Sequence, residues 1–435
     1  MDKRIIAQKA RQIESKEQLL NLLNQMKRED MMEHGRDDNF LPFTLRHINY
    51  YCNPNNEFHR YTQFNIKKKS GGIRQITAPR NKSFMLLLRY VNYMLKTLYT
   101  PSDYATGFTE GRSVVTNADK HKGQNYVFNI DLKDFFPSVE QARVWKRLQI
   151  EPICLKRPIA NVIAGLCSMK VCGDDGNARY ILPQGAPTSP ILTNMVCDKL
   201  DRRLAGLAKR FGLHYSRYAD DITFSSMHNV YQKDGEFRME LKRIIESQGF
   251  TINTEKTRLY KIGSRQEVTG IIVSNKLNVT QKYVRDIRNL LYIWDRYGFG
   301  TAYNKFFYKY KEDKGHVKKG NPDLVNVIDG KLNYLKMVKG EDDTTFLRLK
   351  HKFDLLVNNN HDNAFSNYHG DSAIDTMTVL ENEKENRKEI VSISHCRDEK
   401  GDMFRIINRT DKAIAPTSPS VDIDDLNNDL DALLD

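Results

Sequence analysis

Two adjacent carboxylates, Asp220 and Asp221, lie in the short segment YADD between two apolar runs that predict β-strands. Neighbouring carboxylates repel each other and raise each other's pKa, so a protein keeps them in a tight turn when a cation neutralises them or when both point to water. A third carboxylate, Asp131, lies at the end of the hydrophobic run YVFNIDL at 126–132, which predicts a buried strand. Two strand ends can bring the three carboxylates together.

An oxygen-only ligand set of this kind suits hard cations, Mg²⁺ above all. Two such ions about 3.5–4 Å apart can activate an attacking hydroxyl and stabilise the leaving oxygen in phosphoryl or nucleotidyl transfer. We therefore expect two Mg²⁺ ions at this site, with Mn²⁺ as a substitute. The alternative is an Asp-Asp turn that is exposed to water and binds no metal.

A rigid loop separates the two carboxylate segments. The sequence LPQGAPTSP at 182–190 contains three prolines and a glycine, and it precedes a run with the spacing of a long helix at 190–209. The backbone amides of this loop and the side chain of Gln184 could face a substrate. Alternatively, the loop only starts the helix.

The surrounding pattern mixes helices with short strands. Two strands around a Gly-Gly turn are predicted at 59–80, and helical spacing of apolar residues predicts a buried helix at 83–99. The further strand-like runs are 213–218, 221–226, 250–253 and 268–274. A helix is expected near 234–248, and residues 281–358 have a mostly helical pattern. This mixture predicts an α+β protein.

The charge is divided unevenly along the chain. The 435 residues carry 68 basic and 55 acidic side chains, a net charge of +13, yet residues 361–435 hold 17 acidic and 8 basic side chains. Residues 1–360 therefore carry 60 basic and 38 acidic side chains, a net charge of +22. This strongly basic part favours a polyanionic partner, nucleic acid before a membrane surface.

The composition limits the class of protein further. Hydrophobic residues make up 40% of the chain and charged residues 28%, which is typical of a globular protein and not of a fibrous or globally disordered one. No run approaches the roughly 18–20 apolar residues of a membrane span, and the N-terminus lacks the apolar core of a signal peptide. The six cysteines form no CxxC pair, which disfavours a zinc site. We expect a cytoplasmic protein with reduced thiols and no membrane partner.

Six motifs together resemble those of reverse transcriptases, in the same order and with similar spacing. They are NADKH at 117–121, Asp131 with Phe135-Phe136, QGAPTSP at 184–190, YADD at 218–221, NTEKT at 253–257 and VTG at 268–270. The first and the last are similar to the NAxxH and VTG elements of bacterial retron enzymes and their relatives. The resemblance covers about residues 59–345.

This resemblance implies a right-hand polymerase fold with fingers, palm and thumb. The expected divisions are an N-terminal helical segment at 1–58, fingers at 59–125, a catalytic palm with an antiparallel sheet at 126–280, a helical thumb at 281–358 and a C-terminal extension at 359–435.

The same resemblance implies roles at the catalytic centre. Asp131, Asp220 and Asp221, with Leu132, would hold two Mg²⁺ ions, and Lys256 would protonate the departing pyrophosphate. Asp134 is expected to be a structural acid outside the cleft. The alternative for Lys256 is an ordinary surface lysine.

The substrate contacts that the resemblance implies lie in three places. Arg74 and Lys69 in the fingers would clamp the triphosphate, since guanidinium suits bidentate phosphate contact. Gln184 and Leu132 would contact the incoming nucleotide. Phe136 occupies the position of a steric gate, where a bulky ring leaves no room for a 2′-OH and selects dNTPs. The alternatives are that Phe136 only packs in the core and that Lys69 is only a solvated surface lysine.

The retron-like elements imply RNA-binding residues. Asn117 and His121 match the element linked to recognition of the cognate RNA, and Val268, Thr269 and Gly270 match the VTG triplet. A capped helix end is an equally good interpretation of residues 117–121. The run YNKFFYKYK at 303–311 alternates aromatic and basic residues, a pattern that can contact a nucleic-acid backbone and stack on bases.

The function implied is RNA-directed DNA synthesis, with dNTPs as substrates and cDNA as product. The template and primer would be a cognate noncoding RNA, the setting would be bacterial antiphage defence, and an effector or toxin protein is a candidate partner. Two alternatives stay open. One is a defence-associated reverse transcriptase outside the retrons, which makes repetitive or unusual cDNA. The other is a catalytically inactive RNA-binding scaffold, which the intact Asp131, Asp220 and Asp221 disfavour.

The last part of the chain is not explained by these motifs. A β-hairpin is predicted at 389–408, and the final segment VDIDDLNNDLDALLD contains six Asp and no basic residue. This acidic tail is either a segment that binds a partner or mimics nucleic acid in the basic cleft, or a solvated terminus.

Overall fold

The computed structural model describes residues 1–35, 40–56, 60–67, 71–172, 177–314, 321–366, 392–397 and 403–408. Within these residues, helices and short antiparallel strands are interspersed along the chain, which confirms the α+β class expected from the sequence. The lysine at position 69 and the acidic tail lie outside the described residues.

The N-terminal part is mainly helical and leads into a hairpin. Its elements are α1 (Lys3–Gln12), α2 (Lys16–Glu33), α3 (Leu45–Tyr51), a 3₁₀ turn (Pro54–Asn56), β1 (Tyr61–Lys67), β2 (Ile73–Pro79), α4 (Lys82–Leu98) and α5 (Val114–Asp119). Asn81 caps α4 by accepting a hydrogen bond from Phe84 N at 2.8 Å. The β1–β2 pairing confirms the hairpin predicted at 59–80.

The middle of the chain builds a four-stranded antiparallel sheet. Its elements are β3 (Tyr126–Leu132), α6 (Gln141–Leu148), α7 (Arg157–Cys167), β4 (Met169–Cys172), β5 (Ala178–Ile181), α8 (Ser189–Arg210), β6 (His214–Tyr218), β7 (Asp221–Ser226), α9 (Glu236–Ser247) and β8 (Ile252–Lys261). The strand order is β6-β7-β3-β8, so β3 and β7 lie at the centre and β8 at an edge. The predicted antiparallel sheet is therefore confirmed.

Helices dominate the part that follows. Its elements are β9 (Glu267–Val268), β10 (Ile271–Val273), β11 (Leu277–Asn278), α10 (Gln281–Lys314), α11 (Leu324–Lys339) and α12 (Thr344–Ser366). Gly298 interrupts α10 with a φ of 82°. The strands β12 (Ser392–Arg397) and β13 (Met403–Asn408) pair in an antiparallel manner, as predicted for 389–408.

Two strand predictions were wrong in their extent. β8 runs to Lys261, whereas the apolar pattern predicted a strand only at 250–253. The run at 268–274 is not one strand, because Thr269 and Gly270 have φ values of 47° and 82° and turn the chain between β9 and β10. This turn carries the VTG triplet.

The buried apolar residues form two large clusters. One joins the N-terminal helices, α4, the helices α6 to α9 and the central strands. The other joins β9, β10 and the three last helices, and it includes Ala118 from α5 and Val127 from β3. The central strand β3, which carries Asp131, therefore contributes to both clusters.

Candidate active site

Asp131 and Asp221 are directly opposite each other in the sheet. They are register partners on the central strands β3 and β7, and the Asp131 side chain is mostly buried. Residues Ala219 and Asp220 form the two-residue turn between β6 and β7, which Tyr218 and Asp221 close by pairing. The backbone N–H of Leu132 donates to Asp220 O at 3.1 Å. The structure therefore brings the three predicted carboxylates to one end of the central strands.

The turn with Ala219 is held against a neighbouring loop. Ala219 has a φ of 55°, a left-handed conformation that is unusual for a residue with a side chain. Thr106 N donates to Arg217 O and Arg217 N donates to Tyr104 O, both at 2.8 Å, so the loop runs beside β6 like a further strand. A Cβ atom on Gly107 would lie 2.5 Å from Ala219 N, so this close approach requires glycine.

A buried ion pair also holds the turn between β6 and β7 in place. Arg217 Nε and Nη2 donate to Asp201 Oδ1 and Oδ2, each at 2.7 Å, and both side chains are almost completely buried. Arg217 Nη1 also donates to Ala219 O at 3.2 Å and to Asn194 Oδ1 at 3.1 Å. The guanidinium thus fixes the backbone of the turn that carries Asp220. Arg217 and Asp201 were not predicted as functional residues, and no motif marks them.

Burial and the proximity of the carboxylates raise the pKa values of Asp220 and Asp221. Desolvation in the cleft, and then the charges of Asp220 and Asp131, together raise the pKa of Asp221 to about 7, although part of its surface is exposed and Lys256 opposes the rise. Burial and then Asp131 also raise the pKa of Asp220, while Lys256 and Arg74 oppose this rise. Burial and mutual repulsion make charge neutralisation by a bound cation favourable here.

Lys256 lies next to Asp131. Its Nζ donates to Asp131 Oδ1 at 2.8 Å, and Asn253 Nδ2 donates to Asp131 Oδ2 at 3.1 Å. The register of β8 against β3 shifts between Asn129 and Asp131, and the irregular stretch of β8 there contains Lys256. The hydrogen bond to Asp131 raises the pKa of Lys256, whose side chain is 59% exposed.

The donor set fits a hard divalent cation in its chemistry. Asp131, Asp220 and Asp221 supply only oxygen, and their charges destabilise one another until a cation is near. Among the described residues, no group of three or more His, Cys, Asp or Glu side chains is arranged to hold a metal ion, so the fit rests on the chemistry of the donor atoms.

The residues expected to contact a nucleotide surround this centre. Leu132 has a buried side chain, so its backbone is the part available to a ligand. Phe136 is half-buried, with its ring centroid 6.0 Å from that of Phe108 and 5.5 Å from that of Phe135. Gln184 is half-buried, and its backbone oxygen accepts a 2.7 Å hydrogen bond from Thr77 N, which ties the proline-rich loop to β2.

Arg74 projects from the hairpin that this loop contacts. It lies on β2 opposite Ile66, it is exposed, and its charge is close enough to lower the pKa of Asp220. The hairpin thus brings one of the two predicted triphosphate contacts toward the carboxylates. The other, Lys69, lies outside the described residues.

Asn117 and His121 are not exposed to a ligand. Both are completely buried, and His121 lies beyond the end of α5. His121 Nδ1 is 2.7 Å from Ser225 Oγ, and its Nε2 is 2.7 Å from Ser216 Oγ. The structure therefore corrects the expectation of direct RNA contact: burial and hydrogen bonding to β6 and β7 make His121 an internal anchor.

Asn117 also ties residues 117–121 to neighbouring parts of the chain through hydrogen bonds. Its Oδ1 accepts from Thr106 Oγ1 at 2.7 Å, and its Nδ2 is 3.5 Å from Thr269 Oγ1 in the VTG turn. Val268 is completely buried as well, whereas Thr269 is half-buried and Gly270 exposed. Of the five predicted RNA contacts, the turn residues Thr269 and Gly270 are therefore those with accessible surface.

A small polar cavity connects the VTG turn with the carboxylates. It has a volume of about 150 Å³ and is lined by Asp221, Asn129, Glu267, Thr269 and Gly270, among others. Asn129 Nδ2 donates to Glu267 O at 2.7 Å and so holds β9 against β3. The position of the turn relative to Asp221 is thereby fixed by a hydrogen bond that the sequence did not reveal.

Comparison with known proteins identifies related sequences. A family described as reverse transcriptase (RNA-dependent DNA polymerase) matches residues 66–285, about half of the chain. The chain is 37% identical to the retron Mx65 reverse transcriptase and 36% identical to the retron Mx162 reverse transcriptase, both of Myxococcus xanthus. It is 34% identical to the retron Ec86 reverse transcriptase of Escherichia coli.

These alignments cover different shares of the two proteins. They include 57%, 49% and 53% of this chain, and 59%, 47% and 68% of the three relatives, in the same order. The chain thus aligns with about half of each Myxococcus protein. In the part of the chain that the structure describes, no helix is long and apolar enough to cross a membrane.

Proposed function

The chain belongs to the reverse transcriptase family, and from this premise we propose that it is an RNA-directed DNA polymerase of the retron type. The observation that carries the proposal is the register pairing of Asp131 with Asp221 on the central strands, with Asp220 in the adjoining turn. This pairing gathers carboxylates of the kind that nucleotidyl transfer requires. The reaction would join the α-phosphate of a dNTP to a primer hydroxyl and release pyrophosphate.

Two Mg²⁺ ions are the proposed cofactors, and Mn²⁺ is the proposed substitute. Asp131, Asp220 and Asp221 would hold them, together with the backbone of Leu132. When bound, the ions supply activation of the primer hydroxyl and stabilisation of the charge on the phosphates. The pairing of Asp131 with Asp221, with Asp220 in the adjoining turn, supports this assignment because it gathers oxygen donors of the kind that Mg²⁺ prefers.

The protein's own side chains would orient the nucleotide. Arg74, exposed on β2 and close enough to lower the pKa of Asp220, would bind the triphosphate with Lys69. Gln184 would be positioned by the contact of its backbone with β2. Phe136, supported by Phe108, would exclude a 2′-OH from the sugar site.

Lys256 would hold a proton close to the reacting phosphates. Its ammonium lies 2.8 Å from Asp131, and its hydrogen bond raises its pKa, so the group is protonated at neutral pH. A protonated donor at this position can transfer its proton to the leaving pyrophosphate.

The proposed template and primer are a cognate noncoding RNA, and the proposed product is cDNA. The named relatives are retron enzymes, which favours this setting over a reverse transcriptase outside the retrons. The net charge of +22 on residues 1–360 supports a nucleic-acid partner. An action in antiphage defence, a cytoplasmic location and an effector protein stay predictions.

The test is primer extension by the full chain on a template RNA. Asp220→Asn keeps the size of the side chain but removes its charge, and it should lower the rate at least about a thousandfold. Asp134→Asn is the matched control, because Asp134 is exposed and its left-handed backbone, with a φ of 48°, tolerates Asn. Wild-type rates for Asp220→Asn would refute the proposal. Sequencing of cellular cDNA then distinguishes a short branched retron product from long repeats.

A further inference from the structure

A second groove lies beside the outer edge of β6. It has a volume of about 540 Å³, a size typical of ligand sites. The residues that line it include Tyr104, Lys120, Ala208, Lys209, Leu213 and His214. None of these residues has a role in the candidate active site.

The groove is positively charged. Lys209 and His214 are exposed, Lys120 is half-buried, and no acidic residue is among those that line it. The nearest carboxylate that affects Lys120 is that of Asp103, which already forms a 2.9 Å ion pair with Arg112 Nη2. Burial and then Arg112 lower the pKa of Lys120, so a bound anion would stabilise its charged form.

Tyr104 provides an aromatic surface in the same groove. Its side chain is 40% exposed, and its ring centroid lies 5.4 Å from that of Tyr215. Lys120 Nζ lies 6.0 Å from the centroid of the same ring. An exposed ring with one cation beside it and further cations in the same groove is a combination that suits single-stranded nucleic acid, because bases stack on the ring while phosphates contact the cations.

Buried neighbours fix the position of Lys120. His121 follows it directly and is anchored to Ser216 of β6 and Ser225 of β7. Lys120 Nζ donates to Asp103 O, on the loop that carries Tyr104. The NADKH motif thus has a completely buried part, Asn117 and His121, and a half-buried residue, Lys120, which lines the groove.

We propose that this groove binds a single-stranded RNA segment outside the catalytic centre, with Tyr104 stacking on a base and Lys120 and Lys209 contacting phosphates. The choice of RNA over DNA rests on the proposed function. The charge and the stacking surface together favour a nucleic acid over an acidic protein segment, which would use the charge but has no need of the exposed ring.

The test measures binding by the full chain, with the catalytic cleft saturated by a short template–primer hairpin. A labelled single-stranded RNA of about ten nucleotides is titrated and followed by fluorescence anisotropy. Tyr104→Leu should weaken binding about tenfold, and Tyr104→Phe should bind as the wild type does because it keeps the stacking ring. The double variant Lys120→Gln/Lys209→Gln should reduce the slope of log K against log salt by about 1.4.

Lys122→Gln is the matched control. Lys122 is an exposed lysine two residues from Lys120, it pairs with Asp119, and it does not line the groove. Its RNA affinity should equal that of the wild type. Thermal unfolding of each variant confirms that it is folded.

Three results would overturn the inference. The first is wild-type RNA affinity in both Tyr104→Leu and the double variant. The second is a loss of RNA affinity in Lys122→Gln as large as the loss in the groove variants. The third is that the groove variants lose binding to an acidic peptide while their RNA affinity is unchanged. Primer extension by the wild-type chain is measured separately. If the wild type extends primers normally and the groove variants keep wild-type RNA affinity, only this inference is refuted. If RNA binds in the groove but the wild type extends no primer, only the proposed function is refuted.

Discussion

Gly107 and Ala219 are in such close contact that a Cβ atom on Gly107 would lie 2.5 Å from the backbone nitrogen of Ala219. The next nearest atom, the carbonyl carbon of Tyr218, would be 3.0 Å away, and it is also backbone. Gly107 O accepts a 3.0 Å hydrogen bond from Asn194 Nδ2, and this bond fixes the position of the Gly107 backbone. Neither segment can yield without moving the turn that carries Asp220.

Gly107→Ala is therefore expected to displace the turn and slow DNA synthesis. A shift of about 1 Å at reacting groups can lower a rate about a hundredfold. Single-nucleotide incorporation at saturating dNTP measures this effect. Gly206→Ala is the control: a Cβ there, on α8, meets no atom within 4 Å, so the rate should be unchanged and the free energy of unfolding should rise by about 0.5–1 kcal/mol. Equal rates for Gly107→Ala and the wild type would show that the turn tolerates the displacement.

The buried pair of Arg217 and Asp201 should be essential to the stability of the palm. Asp201→Asn removes the charge that compensates a completely buried guanidinium, so the free energy of unfolding should fall by about 3–5 kcal/mol. Urea unfolding measures this loss. For comparison, Glu236→Gln breaks the exposed ion pair of Glu236 with Arg210 and should cost less than about 1 kcal/mol. Similar losses in the two variants would contradict a special role of the buried pair.

The strands of the centre were predictable because they are short runs that contain β-branched and aromatic residues next to turn signals. The run at 126–132 and the runs flanking the YADD turn became β3, β6 and β7 with bounds close to those expected. β8 was underestimated because it is an edge strand with many exposed polar residues, which leave little apolar pattern to detect. The order of the motifs then indicated that the end of β3, with Asp131, lies next to the YADD turn between β6 and β7.

The contacts that hold the site together were not predictable in the same way. Gly107 and Ala219 are distant in sequence, and nothing local indicates that their backbones touch. The polar residue types of Asn117 and His121 indicated either a ligand contact or a structural role, and the local pattern could not show that their partners lie on β6, β7 and the 104–107 loop. Such pairings depend on the three-dimensional arrangement of the whole sheet.

Burial of His121 predicts a loss of stability in acid. Burial, and then the charges of His214 and Lys120, lower the pKa of His121 from 6.5 to about 3 in the folded protein. Between these values the unfolded chain binds a proton at His121 and the folded protein does not. The free energy of unfolding therefore falls as the pH is lowered from about 6.5 toward 3, by at most roughly 1.4 kcal/mol per pH unit from this residue.

His121→Gln isolates this contribution, since glutamine can hydrogen bond to the serines but does not titrate. Urea unfolding at about pH 7.5 and about pH 5 should show a smaller loss of stability in the variant than in the wild type. His351→Gln, at an exposed histidine on α12, should lose as much as the wild type does. An equal loss in all three proteins would mean that His121 becomes protonated without unfolding the chain.

Lys256 is expected to act in the chemical step of nucleotide addition. Its ammonium is 2.8 Å from Asp131, and β8 is irregular at the point where it projects toward the carboxylates. Because proton donation by a positioned side chain contributes about 10²- to 10⁴-fold, Lys256→Met should lower the single-turnover incorporation rate by about a hundredfold or more. Lys256→Arg keeps the charge but holds its proton too tightly to donate it, so it should recover only part of the rate.

Lys261→Met provides the control for removing a lysine from the same strand. Lys261 is exposed at the far end of β8 and pairs in register with Tyr126, away from Asp131. Its rate should match that of the wild type. If Lys256→Arg restored the full rate, the positive charge next to Asp131 would be sufficient and proton donation by Lys256 would be excluded. A wild-type rate in Lys256→Met would remove Lys256 from the mechanism, because neither its charge nor its proton would then contribute to the step.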